Sequence, residues 1–435
     1  MKRTLAIVFL VVILIVTGCQ QTPEKAPVIG KAGDYLDAVE ETPFQPYQAP
    51  SSLRESYLIS GLDIKIDAEV TVPETDGYSI MEVSKDSFDV DTYKAVMSYF
   101  HPDGSWIKEP ALTKEDIVER IAYYQTNADL EIPENKEVIQ EYQNLLENAP
   151  DETEYEPFSF DEIGNEGWFY AYCRNQNNGT SSILAGQLNS NTFQFVRDSD
   201  EYWIYEGNAE TEQEKKDFSS MTPSISVEDA QKVADQALRD LNADPNMLLS
   251  CHTKSVFYKN ETATSAAWGF RYMRDCNGLQ ASFVSGWDIW KGSPDPVNAA
   301  PWDAEGIFVI VDNEGIAMFD TRGAGKHKSV LYNNVALMPF DDILKRIKQQ
   351  LVYNHAYQEA SMEEYSVTVR EIKLVSSLVN IKDHPDVGRL IPAWDVVYDY
   401  YERYAGEKEP YVYHCHTYLN AIDGSYIEPR TNSIS

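Results

Sequence analysis

Familiar catalytic signatures are missing from this 435-residue chain, which contains no GxSxG, HExxH, CxxC or Walker pattern. The usual sequence marks of a serine hydrolase, a zinc protease, a thiol oxidoreductase and a P-loop nucleotidase are therefore all lacking. Arg322-Gly323-Ala324-Gly325-Lys326 has the outline of a phosphate loop, but Asp320 stands where the first glycine is needed and His327 where Ser or Thr is needed, so it reads as a turn. Cations are also scarce. Thirty-six Lys and Arg face 70 Asp and Glu, a formal charge of -34. A surface this acidic repels phosphate backbones and anionic headgroups, which argues against nucleic acid as a partner and against a body lying flat on a membrane. A long apolar run is lacking too. Residues 5–16 form an unbroken apolar stretch of twelve, yet at about 1.5 Å each they span only about 18 Å, short of a hydrocarbon core of about 30 Å.

That stretch has another use. Lys2 and Arg3 precede it and Val16-Thr17-Gly18-Cys19 follows it, the order of regions in a secretory signal. The last four residues resemble the lipobox of bacterial lipoproteins, with Val16 where leucine is commonest. The resemblance implies a signal peptide over residues 1–19, lipidation of Cys19, and a soluble body held by a lipid anchor at the extracytoplasmic face of the cell membrane. Two or more acyl chains make such an anchor durable, since each buried methylene contributes about 0.8 kcal/mol. Removing two cations and no anions with the signal leaves the body near -36. Residues 20–52 are rich in Pro, Gln, Glu and Ala and carry Pro23, Pro27, Pro43, Pro46 and Pro50, which makes them a flexible tether with a reach on the order of 30 Å. The remainder is long enough for two or three domains.

Besides Cys19 the chain has Cys173, Cys251, Cys276 and Cys415, an even number in an exported protein, which permits two disulfides in three connectivities. Proximity favours Cys251 with Cys276, a closure worth roughly 3 to 4 kcal/mol in the chain-entropy picture, leaving Cys173 with Cys415. Four buried thiols are the alternative.

Periodicity divides the rest. Leu62, Ile64, Ile66, Ala68, Val70 and Val72 alternate with mostly polar residues as in a half-buried strand, and residues 73–77 supply a turn into a second strand at 78–83, a hairpin. Three helical stretches follow, one after Thr113 with Asp116 as its capping partner and one over 133–147, and short aromatic strands return over 167–205. Residues 53–215 thus read as an N-terminal α+β domain. Acidic residues mark a boundary before Ser226, where a helix with Ala230, Val233, Ala234, Ala237, Leu238 and Leu241 on one face begins. Strands and a hairpin turning on residues 312–315 follow it. The same order recurs after Pro339, and Trp268-Gly269-Phe270-Arg271-Tyr272 matches Trp394-Asp395-Val396-Val397-Tyr398, an internal repeat with its copies at 222–330 and 335–430.

A helix followed by strands, an aromatic strand of the form Pro392-Ala393-Trp394, and a last hairpin turning on Asp423-Gly424 resemble the PepSY-like module. Two such modules behind a membrane anchor are similar to the YycH/YycI-type extracytoplasmic regulators of Gram-positive bacteria and to uncharacterised lipoproteins of that group. The resemblance covers about residues 222–430. It implies an α+β fold of two helix-plus-antiparallel-sheet repeats, and binding or regulation of an envelope protein, a histidine kinase among the candidates. The lipid in place of a membrane helix departs from the pattern, as does the helical insertion at 86–148.

Two clusters are candidate sites. Trp287, Trp290 and Trp302 lie in an insertion with Gly286, Gly292, Pro294, Pro296 and Pro301. They read either as an aromatic platform for a peptide, glycan or partner protein, or as rings packed over the end of the first repeat. His414-Cys415-His416 in a strand sets both imidazoles on one face, a seat for a transition metal if a third ligand approached, or else a polar strand face with Cys415 buried or bridged. No catalytic residue and no cofactor is assigned. The expected function is a non-catalytic binding or regulatory lipoprotein, with a surface hydrolase or a solute-binding lipoprotein as rivals.

Overall fold

The computed structural model describes Val39 and residues 41–427, apart from 60, 103–104, 128–131, 165–166, 175–180, 198–201, 206–210, 260–261, 283–301, 303–304, 356–361, 382–383 and 409. Cys19, Trp287, Trp290 and the signal sequence lie outside the described residues. In chain order the elements are β1 (Ser52–Ile59), β2 (Leu62–Thr71), β3 (Ile80–Lys85), α1 (Val90–Phe100), β4 (Trp106–Ile107), α2 (Lys114–Asn127), α3 (Pro133–Leu146), β5 (Trp168–Arg174), β6 (Ser181–Gln187), β7 (Phe193–Val196) and β8 (Tyr202–Tyr205). They continue with α4 (Glu212–Ser220), α5 (Val227–Asp240), β9 (Met247–Lys259), β10 (Thr262–Cys276), β11 (Leu279–Gln280), β12 (Gly306–Asp312), β13 (Gly315–Arg322) and β14 (Gly325–Tyr332). The chain closes with α6 (Phe340–His355), β15 (Met362–Ile381), β16 (His384–Tyr404), β17 (Tyr411–Asn420) and β18 (Tyr426–Ile427). Among the described residues no helix is long and apolar enough to cross a membrane.

Local chemistry accounts for many of these limits. In β2 every second residue from Leu62 to Val70 is buried and the intervening ones are exposed, the alternation a one-sided sheet demands. Asp89 caps α1 by accepting from the Thr92 amide at 2.8 Å. Thr113 and Asp116 bond reciprocally at the start of α2, and Ser226 accepts from the Asp229 amide at 3.1 Å to open α5.

The expected α+β chain of two helix-plus-sheet repeats behind a separate N-terminal domain is not what these elements build. The fold is mostly β, 48% strand against 24% helix, in two large sheets. An eight-stranded sheet runs β1-β2-β15-β16-β17-β18, with β3 bonded to both β14 and β16, and a ten-stranded sheet runs β4-β5-β6-β7-β13-β12-β10-β9-β8, with β11 beside β10. Strands from residues 53–215 are thus shared between sheets whose centres come from the two repeats. The physical reason is that an isolated three-stranded repeat would leave its edges unpaired, and earlier strands complete them. The expected hairpin is revised by the same rule. β2 pairs antiparallel with β1 and parallel with β15, while β3 joins the sheet through β14 and β16.

Each sheet buries one face under helices. On the eight-stranded sheet Phe340, Ile343, Ile347 and Leu351 of α6 meet Ile64, Ile66, Ile372, Trp394 and Tyr398. On the ten-stranded sheet Tyr93 and Val96 of α1 and Ala230, Ala234 and Ala237 of α5 meet Phe169, Phe270, Val309 and Phe319. The chain is fastened to the body before Ser52. The Thr42 amide donates to the Asn334 carbonyl at 3.1 Å, and the Tyr47 hydroxyl donates to the Met338 carbonyl at 2.6 Å while its ring lies 5.5 Å from that of Trp394. Any tether reach is therefore set by residues before 41.

Candidate functional site

The faces turned away from the helices meet along β10–β11 and β15–β16, where Ala281 bridges to Ser376 and the Ser282 amide donates to the Ser376 carbonyl at 2.9 Å. A cleft of about 560 Å³ opens there. The ten-stranded sheet gives it Cys251, Arg271, Met273 and Asp275, and the eight-stranded sheet gives it Lys373, Asp395, Val397 and His416. Strand alternation explains the set. Phe270 and Tyr272 are buried toward the helices, so Arg271, Met273 and Asp275 face the cleft, and Trp394 and Val396 in the core likewise turn Asp395 and Val397 toward it.

Asp395 organises one wall. Its carboxylate lies 2.8 Å from His416 Nδ1 and accepts from Ser282 Oγ at 3.2 Å, and Ser282 Oγ sits 2.7 Å from the Tyr418 hydroxyl. An ionised carboxylate can only accept, so His416 Nδ1 carries the proton and the ring orientation is fixed. One rung along, His414 Nδ1 lies 2.7 Å from Asp399. Burial alone would raise the Asp399 carboxyl, but hydrogen bonds from Arg370, His414 and Tyr401 outweigh it and hold Asp399 below the usual carboxylate range. On the opposite wall Asp275 accepts from the Gly278 amide at 3.0 Å, and the Gln280 side chain donates to the Leu249 carbonyl at 3.2 Å, which fixes the β10–β11 turn. Lys373 is ion-paired with Glu371.

Beneath the cleft lies a buried charge cluster. Arg274, 2% exposed, is held by Glu305, by Asp244 at 2.9 Å and by the Gly325 carbonyl at 2.7 Å. Burial pushes the Glu305 carboxyl above its usual range, against the pull of Arg274. Asp320, also raised by burial, is held by Arg322 at 3.0 Å. Neither of these carboxylates lines the cleft, so they do not supply the pair of raised acids that a surface hydrolase would use.

The sequence candidates are dispersed. Trp302 is 3% exposed and packs with Val83, Cys276 and Leu390; an indole this large is stabilised by leaving water. His414 and His416 do share the polar face of β17, each facing a carboxylate, and Cys415 is buried on the other face. Among the described residues no group of three or more His, Cys, Asp or Glu is arranged to hold a metal. Cys173, Cys251, Cys276 and Cys415 all carry thiols rather than disulfides. For Cys251 and Cys276 register gives the reason: Cys251 pairs with Arg271, five residues before Cys276, which at about 3.3 Å per residue sets the two about 16 Å apart along the strand, well over the roughly 7 Å limit for a bridge. Cys173 and Cys415 sit in different sheets. Burial pushes the Cys276 thiol up to about 12. Gly323, at φ 60°, and Ala324 link β13 to β14, so the phosphate-loop outline falls on two strand ends and the turn between them.

Cleft residues Arg271, Asp395 and Lys373 were not singled out by motif. The match between residues 268–272 and 394–398 carries a usable signal, because it aligns the two strands whose outward residues line the cleft.

The cleft between the two sheets thus combines charged, polar and apolar side chains in its lining. No protein-family model matches this chain, and no curated protein matches it in sequence. Among solved structures it is similar to an uncharacterized protein from Eubacterium rectale, at 12% identity and TM-score 0.46, over 84% of this chain and 91% of that one. It is also similar to the Bacillus megaterium YpeB C-terminal domain, at 8% identity and TM-score 0.26, over 62% of this chain and 84% of that one. At these values neither likeness bears on function.

Proposed function

We propose that this chain is a lipid-anchored extracytoplasmic binding module, distantly PepSY-like, that engages an envelope protein through the cleft between its sheets. The observation that carries the reading is the cleft itself, where Arg271 and Lys373 from opposite sheets flank an imidazole oriented by a buried carboxylate. Convergent polar groups on rigid strands are what a recognition site needs. The lipobox-like residues 16–19 support the anchor.

The test is crosslinking in membranes followed by purification of the full chain. One defined envelope partner should be recovered with the wild type, and recovery should fall at least tenfold with the Arg271→Ala, Lys373→Ala pair while the fold persists. Cys19→Ala should move the chain from the membrane to the soluble fraction. Recovery of the same partner by the double variant would remove the cleft from the reading, and membrane retention of Cys19→Ala would remove the lipid.

A further inference from the structure

A second cavity, of about 390 Å³, shares only Asp275 with the cleft. Strand alternation builds one wall. Tyr78 and Ile80 belong to the helix-covered core, so Ser79 and Met81 turn to the opposite face, where Met81 pairs with Val330 of β14. Arg274 and Asp275, at the end of β10, stand across from them. Ser79 is 4% exposed, yet its Oγ has no hydrogen-bond partner among the described residues. Buried polar atoms are almost always bonded, so this hydroxyl marks a place where a group from outside the chain completes the bonding.

The rest of the lining is rich in acceptors. The Asn277 side chain donates to the Gly77 carbonyl at 3.2 Å and the Asn333 side chain to Glu41 at 3.1 Å. Both partners can only accept, so the amide nitrogens are committed to them and the two carboxamide oxygens are left without a partner among the described residues. Asp275 spends one oxygen on the Gly278 amide and keeps the other. Donors are fewer. Four of the five N–H groups of Arg274 go to Glu305, Asp244 and the Gly325 carbonyl, while the exposed His327 ring can serve either way. The charge is negative as well. Asp244 and Asp275 outnumber Arg274; burial would raise the Asp244 carboxyl, but bonds from Asn246 and Arg274 outweigh it and hold Asp244 below the usual carboxylate range. The lysines flanking His327 are each paired, Lys326 with Asp86 and Lys328 with Glu82. Such a cavity repels an anion, and an uncharged polyol would leave its negative charge unanswered. A bare metal ion would not fill it, whereas the Met81–Val330 pair offers apolar surface that suits a carbon skeleton.

We propose that this cavity binds a small organic amine cation, its ammonium held among Ser79 Oγ, the Asp275 carboxylate and the Asn277 and Asn333 carboxamide oxygens, and its carbon skeleton on Met81 and Val330. An ammonium has three N–H donors and no acceptor, the complement of that set. The site goes beyond the envelope-protein reading of the cleft and does not depend on it. Asp275 belongs to both, and is the one lining residue through which occupancy of the cavity can reach the partner.

The test is titration calorimetry on the full-length chain in detergent, just below neutral pH, with glucosamine as the probe and glucose as its uncharged counterpart. The two share a ring and differ in the ammonium. Glucosamine should bind, and glucose should bind about tenfold more weakly or not at all, the worth of a hydrogen-bonded charge. Ser79→Ala removes a hydroxyl that holds nothing in the protein, so it should leave the melting temperature unchanged or higher and weaken glucosamine about fivefold. Asp275→Asn can still accept from the Gly278 amide and should weaken glucosamine about tenfold. Val330→Trp fills the cavity from a partly exposed strand position and should abolish binding. No binding by the wild type, or undiminished binding by both Ser79→Ala and Val330→Trp, would overturn the site. Equal binding of glucose would overturn the amine cation as its occupant. Crosslinking with the Arg271→Ala, Lys373→Ala pair reads residues outside this cavity, so failure of either proposal leaves the other standing.

Discussion

Arg274 places a cation where water does not reach, and the protein keeps it there by wrapping Glu305, Asp244 and the Gly325 carbonyl around it. Removing the guanidinium leaves two carboxylates facing each other in a poorly solvated site, a loss of about 3 to 5 kcal/mol. Arg274→Ala should show that loss as a lower urea midpoint at neutral pH; a change under 1 kcal/mol would mean that water enters the cluster. His355 is a second residue with a readable signature. It packs on Tyr400 with ring centroids 4.2 Å apart, its Nε2 lies 2.9 Å from the Tyr398 hydroxyl, and burial lowers its pKa from 6.5 to about 3. As pH falls the unfolded chain takes up this proton first, so the effect is nil above 6.5 and costs about 1.4 kcal/mol for each pH unit between 6.5 and 3. Stability measured at pH 7, 5 and 4 should fall more steeply for the wild type than for His355→Phe, and parallel curves would show that His355 charges freely in the folded state.

Elements differ in how openly the sequence announced them. Helix α5 and strand β2 were legible because each buries one face, and a buried face writes its own period into the chain. Partners were not legible. The period of a strand says which residues turn inward and is silent on which strand lies alongside, so the hairpin expected of β2 and β3 became two pairings with distant segments, and β14, with its lysines at 326 and 328 exposed, escaped notice. The cleft inherited this limit. Its residues come from strands far apart in sequence, and only pairing brings Arg271 near Asp395. The β10–β11 turn is the element on which the cleft depends most. Gly278 has φ +89°, and a Cβ there would meet the Glu74 carbonyl at 2.6 Å. Gly278→Ala should therefore cost about 1 to 3 kcal/mol through backbone strain, and hydrogen exchange should quicken at Asp275 to Ala281 before the rest of the sheet; unaltered exchange there would show that the turn relaxes at no cost.

At the scale of the whole molecule the formal charge of -34 is a standing load on compactness. Self-repulsion falls as the Debye length shrinks from about 30 Å at 0.01 M salt to about 8 Å at 0.15 M, so the melting temperature should rise over that range by a few degrees, and a flat response would indicate that the charges are already neutralised locally. One pairing has a temporal consequence. β2 lies beside β15 in parallel, Asp63 against Ser366, so a strand made early is stranded until about 300 more residues have been delivered, and contacts of such sequence separation form slowly. During that wait the row Leu62, Ile64, Ile66 has only β1 to lie against. The newborn chain thus has an interval of exposure, in which an escort or a high local concentration of copies decides between completion and aggregation.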